Sequence, residues 1–207
     1  MEHTVNKTLL RGTLAALPAF SHENHMRRFY RFALEVPRLS GAVDVLPVIA
    51  AQDVLDGMDL FSGDQIEVTG QIRSFNSKAQ QGHKLILSVY AEALTTAEGE
   101  PENRVQLCGA LCKPPVYRRT PLGREICDVM LAVSRAYHRS DYIPCILWGR
   151  AAQEAAALAP GSPLALTGRM QSREYVKVLP GGSEKRVAYE VSATRSAFSD
   201  DLLEIFD

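Results

Sequence analysis

Residues 140–158, SDYIPCILWGRAAQEAAAL, predict a strand that runs directly into a helix. Ile143, Cys145 and Leu147 alternate along one face, as expected of a strand that packs on a core. The other face is also apolar and carries Tyr142 and Trp148. Either both faces are buried, or the second face is an exposed aromatic surface that binds a ligand.

The same pattern occurs earlier in the chain, at an offset of 97 to 98 residues. The segment NKTLLRGTL begins at Asn6 and NRVQLCGAL begins at Asn103, so that Asn and Gly recur at the same spacing. LPVI from Leu46 corresponds to IPCI from Ile143, and GDQIEVTGQIRS from Gly63 corresponds to GSPLALTGRMQS. An internal duplication is therefore predicted.

Each repeat is predicted to be an OB-fold, a five-stranded Greek-key barrel with a helix between strands three and four. In the second repeat the strands are expected near 104–112, 125–135, 141–148, 163–175 and 186–195, with an Ala-rich helix at 149–158. The first repeat has a poorer helix in AAQDVLDGMDLF. The chain is thus predicted to be all-β, with OB-folds at 1–96 and 103–198, a linker at 97–102 and an acidic tail at 199–207.

Charge is distributed unevenly. Residues 1–102 carry 9 Lys or Arg against 13 Asp or Glu, residues 103–198 carry 14 against 7, and the tail carries none against 4. A basic second repeat suggests a polyanionic ligand, although chance surface charge is the alternative. No apolar run has the length of a membrane helix and the N-terminus lacks a secretory signal, so a cytoplasmic protein with reduced cysteines and no membrane contact is expected.

Aromatic and basic residues alternate on the predicted outer faces of the second repeat. Aromatic rings can stack on any base and cations neutralise phosphates, so this pattern favours sequence-tolerant binding of single strands. Trp148 as a cap of the barrel, and Tyr142 and Tyr175 as ordinary strand residues, are the structural alternatives. The candidate cations are Arg118, Arg119 and Arg124 in the first loop, Arg135 and Arg139 at the second turn, Arg150, Arg169 and Arg173, and Lys177, Lys185 and Arg186 around a predicted loop at 179–186.

Enzymatic and metal-binding functions find little support. No phosphate loop, nucleophile elbow or paired-carboxylate motif occurs, so neither catalysis nor a cofactor is expected. The four cysteines, Cys108, Cys112, Cys127 and Cys145, have spacings that favour core packing over a zinc site. His22 and His25 are expected in a polar loop rather than around a metal.

The second repeat resembles the bacterial single-stranded DNA-binding protein family. The segments that carry the resemblance occur in the same order along the chain as in the family: NRVQLCGAL, RRTPLGREICDVMLAVSRAY, SDYIPCILWGRAAQEAAALAPGSPLALTGRMQSREY and AYEVSA. This resemblance covers residues 103–195. It implies OB-folds, no catalytic residues, and base-stacking aromatics at Tyr137, Tyr142, Trp148 and Tyr175. It also implies partner binding by an acidic tail, here through Asp200, Asp201, Leu202 and Phe206, although an Asp follows the terminal Phe.

The first repeat lacks most of these residues. Tyr137, Tyr142, Trp148 and Arg150 correspond to Ser40, Val45, Ala51 and Asp53, and only Phe75 remains near the Tyr175 position. This acidic repeat is therefore expected to bind nucleic acid weakly and to serve in pairing, although its RRFYRF segment could form a basic strand edge. Because the family commonly assembles four OB-folds, a dimer of chains is expected.

The sequence predicts a single-stranded DNA-binding protein of replication, recombination or repair, whose second OB-fold makes most contacts. The alternative is an OB-fold scaffold that binds proteins in a replication-restart or recombination complex.

Overall fold

The computed structural model describes residues 4–77, 84–179, 182–198 and 204–206. The first repeat forms six strands and one short helix within this part of the chain: β1 (Val5–Leu14), β2 (Ala19–Asn24), β3 (Arg27–Pro37), β4 (Val43–Ala51), α1 (Gln52–Leu55), β5 (Gln65–Ser77) and β6 (Lys84–Thr96). The second forms β7 (Glu102–Leu111), β8 (Val116–Arg119), β9 (Glu125–Arg135), β10 (Arg139–Trp148), α2 (Gly149–Ala156), β11 (Pro163–Leu179), β12 (Gly182–Ala197) and a C-terminal 3-10 turn (Glu204–Phe206).

The two repeats have the same topology, which confirms the prediction of tandem OB-folds. In the first, β1 pairs with β3 and β5, β3 with β4, β5 with β6, and β4 with β6 in parallel. In the second, β7, β9, β10, β11 and β12 pair in the same way. Each barrel encloses an apolar core, in which Leu10, Leu34, Leu107 and Leu131 are fully buried. Burial of this apolar surface is the main stabilising contribution to each barrel.

Two predicted details differ from the structure. Short strands β2 and β8 form hairpins with β3 and β9, in segments where the sequence predicted loops. All four residues of β8 are exposed, so this strand lacks the alternation that would have revealed it. The helix of the first repeat spans only Gln52–Leu55, shorter than its sequence segment suggested.

The repeated Asn and Gly have matching structural roles. The side chain of Asn6 accepts from the backbone N–H of Ile72 at 2.9 Å and donates to its carbonyl at 2.8 Å. Asn103 does the same with Met170, at 2.9 and 2.7 Å. At Gly109 a Cβ would lie 2.3 Å from the carbonyl oxygen of Ala132, so this crossing of strands in the barrel requires glycine.

The two barrels form one continuous sheet. Strands β1 and β7 pair antiparallel from Val5 opposite Cys108 to Arg11 opposite Glu102. In the resulting order, β2 and β8 are the strands at the two ends. Among the described residues, no helix has the length and apolar character that crossing a membrane requires.

Each barrel also inserts one buried carboxylate into the other, at related positions. Asp44 accepts hydrogen bonds from the backbone N–H and hydroxyl of Ser172, at 2.7 and 3.1 Å, and pairs with Arg38. Asp141 accepts from the backbone N–H of Ser74 at 2.8 Å and from Arg73 at 3.1 Å. Both aspartates are 0% exposed. These reciprocal contacts fix the register of one barrel against the other.

Candidate nucleic-acid interface

Strand β10 is buried on one face and mixed on the other. Ile143, Cys145 and Leu147 face the core, as their alternation predicted. On the opposite face Tyr142 is 47% exposed and Trp148 is 38% exposed. Ile146 between them is buried. The second face is therefore an aromatic surface in part, with its two rings separated by a covered position.

Trp148 is anchored at its polar edge and open elsewhere. Its indole Nε1 donates to the hydroxyl of Ser192 on β12 at 2.9 Å. The ring borders an open groove of about 440 Å³ that is also lined by Arg150 and Arg195. A ring whose orientation is fixed in advance loses less conformational freedom when a base stacks on it. Arg195 was not identified from the sequence, because it lies at the end of a predicted strand rather than in a motif.

The three candidate tyrosines occupy different settings. Tyr137 lies in the turn between β9 and β10, with φ +62° and 91% of its surface exposed. Tyr142 begins the exposed face of β10. Tyr175 is partly buried on β11, with the guanidinium of Arg173 5.9 Å from its ring centre. Together with Trp148, these rings come from β10, β11 and the turn before β10.

Five of the candidate cations on the outer surface already pair with carboxylates. The pairs are Arg118 with Asp128 at 2.6 Å, Arg119 with Glu125 at 3.0 Å, Arg150 with Glu154 at 2.7 Å, Arg186 with Glu184 at 2.7 Å and Arg173 with Glu190 at 3.7 Å. Within the described ranges, Arg124, Arg139, Arg169 and Lys185 form no ion pair. A phosphate that approached the first group would have to displace a carboxylate, whereas the second group is open to a phosphate without such an exchange.

Arg135 lies toward the seam between the barrels rather than in the open. Its Nε is 3.7 Å from a carboxylate oxygen of Asp141, and only 31% of its side chain is exposed. Arg135 thus supports the buried Asp141 between the barrels.

The outer face of β11 is also less open than its alternation suggested, because Gln171 is buried and donates to Glu190 at 2.8 Å.

The fourth and fifth strands of the second repeat pair as a hairpin, as predicted, but the loop bounds of 179–186 are wrong. Strands β11 and β12 pair as far as Leu179 opposite Gly182, so Lys185 and Arg186 belong to a long two-stranded ribbon. Lys185 lies opposite Val176, and Arg186 lies opposite Tyr175. The backbone of Lys177 belongs to β11. The ribbon is largely exposed and polar, which hid its strand character from a search for core-facing alternation.

The cysteines follow the expected core packing only in part. Cys108, Cys127 and Cys145 are buried and Cys112 is exposed, and all four are free thiols. Burial raises the pKa of the Cys145 thiol above its usual range, and it does the same for Cys108. In the part of the chain that the structure describes, no three His, Cys, Asp or Glu side chains are grouped as metal ligands.

The tail reaches back to the protein's own barrel. Asp200, Asp201 and Leu202 lie outside the described residues, but Ile205 is buried against Cys108 and Ala165. Phe206, Val5 and Ala197 pack around this contact. The 3-10 turn thereby covers the outward side of β7 and β11, next to the junction with β1.

The comparisons with known proteins separate the two repeats. The profile described as "Single-strand binding protein family" matches residues 102–199. Single-stranded DNA-binding protein 2 of Listeria innocua is 39% identical over 80 residues, which are 35% of this chain and 50% of that protein. Single-stranded DNA-binding protein A of Bacillus subtilis is 39% identical over 80 residues, which are 35% of this chain and 46% of that protein. The chain thus spans about half the length of these relatives.

A solved structure with two barrels matches the chain over nearly its whole length. A deletion mutant of the single-stranded DNA binding protein from Thermus aquaticus superimposes with a TM-score of 0.77 and 25% identity, over 96% of both chains. The wild-type protein gives a TM-score of 0.76 and 24% identity, over 95% of this chain and 93% of that one. The whole chain therefore has the fold of these proteins, while the family profile matches the second repeat.

Proposed function

Because residues 102–199 match the model of the single-strand binding protein family, we propose that the chain binds single-stranded DNA without a base-sequence preference. The observation that carries the proposal is the open ring of Trp148, which is held at its edge by Ser192 and flanked by Arg150 and Arg195. A base stacks on the ring, and the neighbouring guanidinium groups contact phosphates. Tyr137, Tyr142 and Tyr175 extend the surface. Binding through stacking reads no base edge.

In this proposal the protein covers exposed single strands during replication, recombination or repair in the cytoplasm, and performs no chemistry itself. Only the strand's backbone charge and its bases are recognised, so any DNA region that becomes unpaired is a ligand. Covering the bases prevents them from pairing or folding back on themselves.

The test is a titration with oligo-dT at two salt concentrations, followed by the fluorescence of Trp148, the sole tryptophan of the sequence. A base stacked on the indole should quench the emission, and affinity should fall as salt rises because cations on the phosphates are released. Double-stranded DNA of the same length is the control. Absence of quenching together with absence of salt-dependent binding would contradict the proposal.

We also propose that the protein is a dimer with four OB-folds. The outer face of the sheet around the β1–β7 junction carries a groove of about 450 Å³, lined in part by Lys7, Leu9 and Gln106. Leu9 provides apolar surface for a second chain, and the end strands β2 and β8 leave pairing groups at the rim of the sheet.

Light scattering at micromolar concentration should therefore give twice the chain mass of 22.8 kDa. The variant Leu9→Glu is expected to shift the measured mass toward that of the monomer, because it places a charge in the proposed apolar contact between the two chains. The same substitution at the exposed Leu39 serves as the control. A monomeric mass for the unaltered protein would rule out the dimer.

The tail is proposed to restrain DNA binding and to bind replication or repair proteins when released. Its four carboxylates follow the basic repeat directly. Within a Debye length of about 8 Å at physiological salt, they compete with phosphates for Arg and Lys. The docked Ile205 keeps this segment close to the barrel.

Deleting residues 199–207 is expected to tighten oligo-dT binding at low salt and to matter less at high salt. The deletion should also uncover Cys108, so that a thiol reagent labels Cys108 as well as the exposed Cys112. The variant Asp200→Asn/Asp201→Asn separates the two effects, since it removes charge and leaves the apolar contact. It should tighten binding while Cys108 stays protected. Unchanged low-salt affinity in the deletion would exclude competition.

A further inference from the structure

An aromatic groove of about 490 Å³ crosses the outer surface of the first repeat, which was expected to bind weakly. Its walls include Phe29 from β3, Phe75 from β5, Tyr90 from β6 and His22 from β2. The imidazole of His22 lies parallel to the ring of Phe29, with 4.9 Å between centres and 10° between planes. Tyr90 lies 6.3 Å from Phe29 and is tilted by 47°. Four strands thus contribute aromatic rings to one groove.

Strand pairing shows which residues of the two repeats are equivalent. Tyr90 lies opposite Ile49 on β4, as Ser192 lies opposite Ile146 on β10, so Tyr90 occupies the position of Ser192. Phe29 lies opposite Ala51, as Ile126 lies opposite Trp148. These two matches define where each repeat places its aromatic surface.

The first repeat therefore has two aromatic rings, Phe29 and Tyr90, around the position where the second repeat has the single ring of Trp148. Where the second repeat has Trp148 bonded to Ser192, the first has the small and buried Ala51. Phe29 and Tyr90 stand on the strands on either side of it. The aromatic surface is retained, but it comes from neighbouring strands, so an alignment of Trp148 with Ala51 does not find it.

Cations accompany these rings. The guanidinium of Arg27 lies 5.8 Å from the centre of Phe29, and that of Arg73 lies 5.7 Å from the centre of Tyr90. Arg27 also pairs with Asp53 at 2.7 Å. Rings next to arginines provide stacking and phosphate contacts, the two requirements of single-strand binding. Each guanidinium is paired with a carboxylate, Arg27 with Asp53 and Arg73 with Asp141, so a phosphate bound here has to compete with these partners.

The groove continues toward the second repeat. Arg73 lines the groove and donates to Asp141 at 3.1 Å. The next residue, Ser74, accepts a hydrogen bond from the backbone N–H of Tyr142 at 2.7 Å. Tyr142 is one of the proposed stacking residues of the second repeat. The hydrogen bond to Ser74 therefore joins the groove of the first repeat to the aromatic surface of the second.

We infer that the first repeat has a second binding surface for single-stranded DNA, in which Phe29 and Tyr90 take the place of Trp148. A strand bound at Trp148 and Tyr142 continues across Ser74 and Arg73 to these rings. This inference rests on the proposed function and extends it to the whole chain. One chain then holds a single DNA strand on both barrels, and the DNA passes from one barrel to the other across Ser74 and Arg73.

The experiment compares labelled oligo-dT of about 10 and about 30 nucleotides, since one OB-fold covers roughly 4–16. The variant Phe29→Leu/Tyr90→Leu keeps apolar volume and removes both π-faces. It should bind the long oligonucleotide about tenfold or more weakly, as expected from the loss of a base stack, and the short one with unchanged affinity. Phe61→Leu, which alters an exposed phenylalanine of the same repeat outside the groove, should match the unaltered protein.

Urea unfolding midpoints check that the variants fold. Phe75→Ala, at a residue 47% exposed, provides the same comparison if the double variant does not fold. Long-oligonucleotide affinity that is unchanged in the folded groove variants, while Trp148→Ala weakens binding, would overturn the inference and leave the proposed function standing. Failure of the unaltered protein to bind either oligonucleotide would overturn both.

Discussion

Replacing Trp148 with alanine is expected to weaken oligo-dT binding by about 1–3 kcal/mol, the cost of losing one stacked base. The ring is open to solvent on β10, and its Nε1 is bonded to Ser192 at 2.9 Å, so its position is set before DNA arrives. Because the variant lacks the only tryptophan, binding is followed by the anisotropy of a labelled oligonucleotide. Both oligonucleotide lengths should show the loss.

A phenylalanine at this position separates stacking from the hydrogen bond. Trp148→Phe keeps a π-face and loses the Nε1 donor, so it should retain most of the affinity if stacking dominates. Leu122→Ala, at an exposed apolar residue of the same repeat, controls for general loss of apolar surface. Undiminished affinity in Trp148→Ala, or its failure to fold, would mean that the indole is a structural cap of the barrel.

Periodic features of the fold could be predicted from the sequence, because they repeat and face a core. The repeat, the strand order and the inward faces of β10 and β11 follow from alternation at Ile143, Cys145 and Leu147, and at Leu164 and Leu166. Strand β8 and the ribbon of β11 and β12 could not, since their residues are mostly exposed and polar. Pairing between strands, rather than burial, defines these segments.

The candidate binding surface was harder to predict than the fold, because it depends on which strands become neighbours. The pairing of Arg118 with Asp128 joins β8 to β9, and β8 itself was not foreseen. The proposed exchange of Trp148 for Phe29 and Tyr90 involves β3, β4 and β6, and β6 is distant in sequence from the other two. An alignment of the two repeats, position by position, shows only that Ala51 replaces the aromatic Trp148.

The second large effect is expected on stability, from removal of a buried aspartate that joins the barrels. Asp44→Ala is expected to lower the free energy of unfolding by about 3 kcal/mol, because it leaves Arg38 and the N–H of Ser172 without their shared partner at a site with little access to water. Asp53→Ala removes an exposed ion pair with Arg27 and should change stability little. Urea unfolding measures both.

The same carboxylate gives the stability a defined pH dependence. Burial opposes ionisation of Asp44, but hydrogen bonds from Arg38 and Ser172 outweigh it and hold the pKa of this carboxyl below its usual 3.8. A lowered pKa in the folded state means that the contribution is fully present above the unfolded-state pKa. It is lost as pH falls through the folded-state pKa. The unaltered protein should therefore lose stability below about pH 4, and Asp44→Ala should lose less over the same interval.

Because Asp44 and Ser172 belong to different barrels, the substitution should also uncouple them. The unaltered protein is expected to unfold in one transition, since β1–β7 pairing and both aspartates link the barrels. Asp44→Ala/Asp141→Ala removes both carboxylates and leaves the strand pairing and the hydrogen bonds from Tyr142 to Ser74 and from Arg38 to Ser172. Two transitions should then appear, as measured by far-ultraviolet circular dichroism and by Trp148 fluorescence. Coincident transitions with an unchanged midpoint would show that the barrels stay coupled without the two carboxylates. With both carboxylates removed, Ser74 and Tyr142 lose their fixed register, so affinity for the long oligonucleotide should fall more than affinity for the short one.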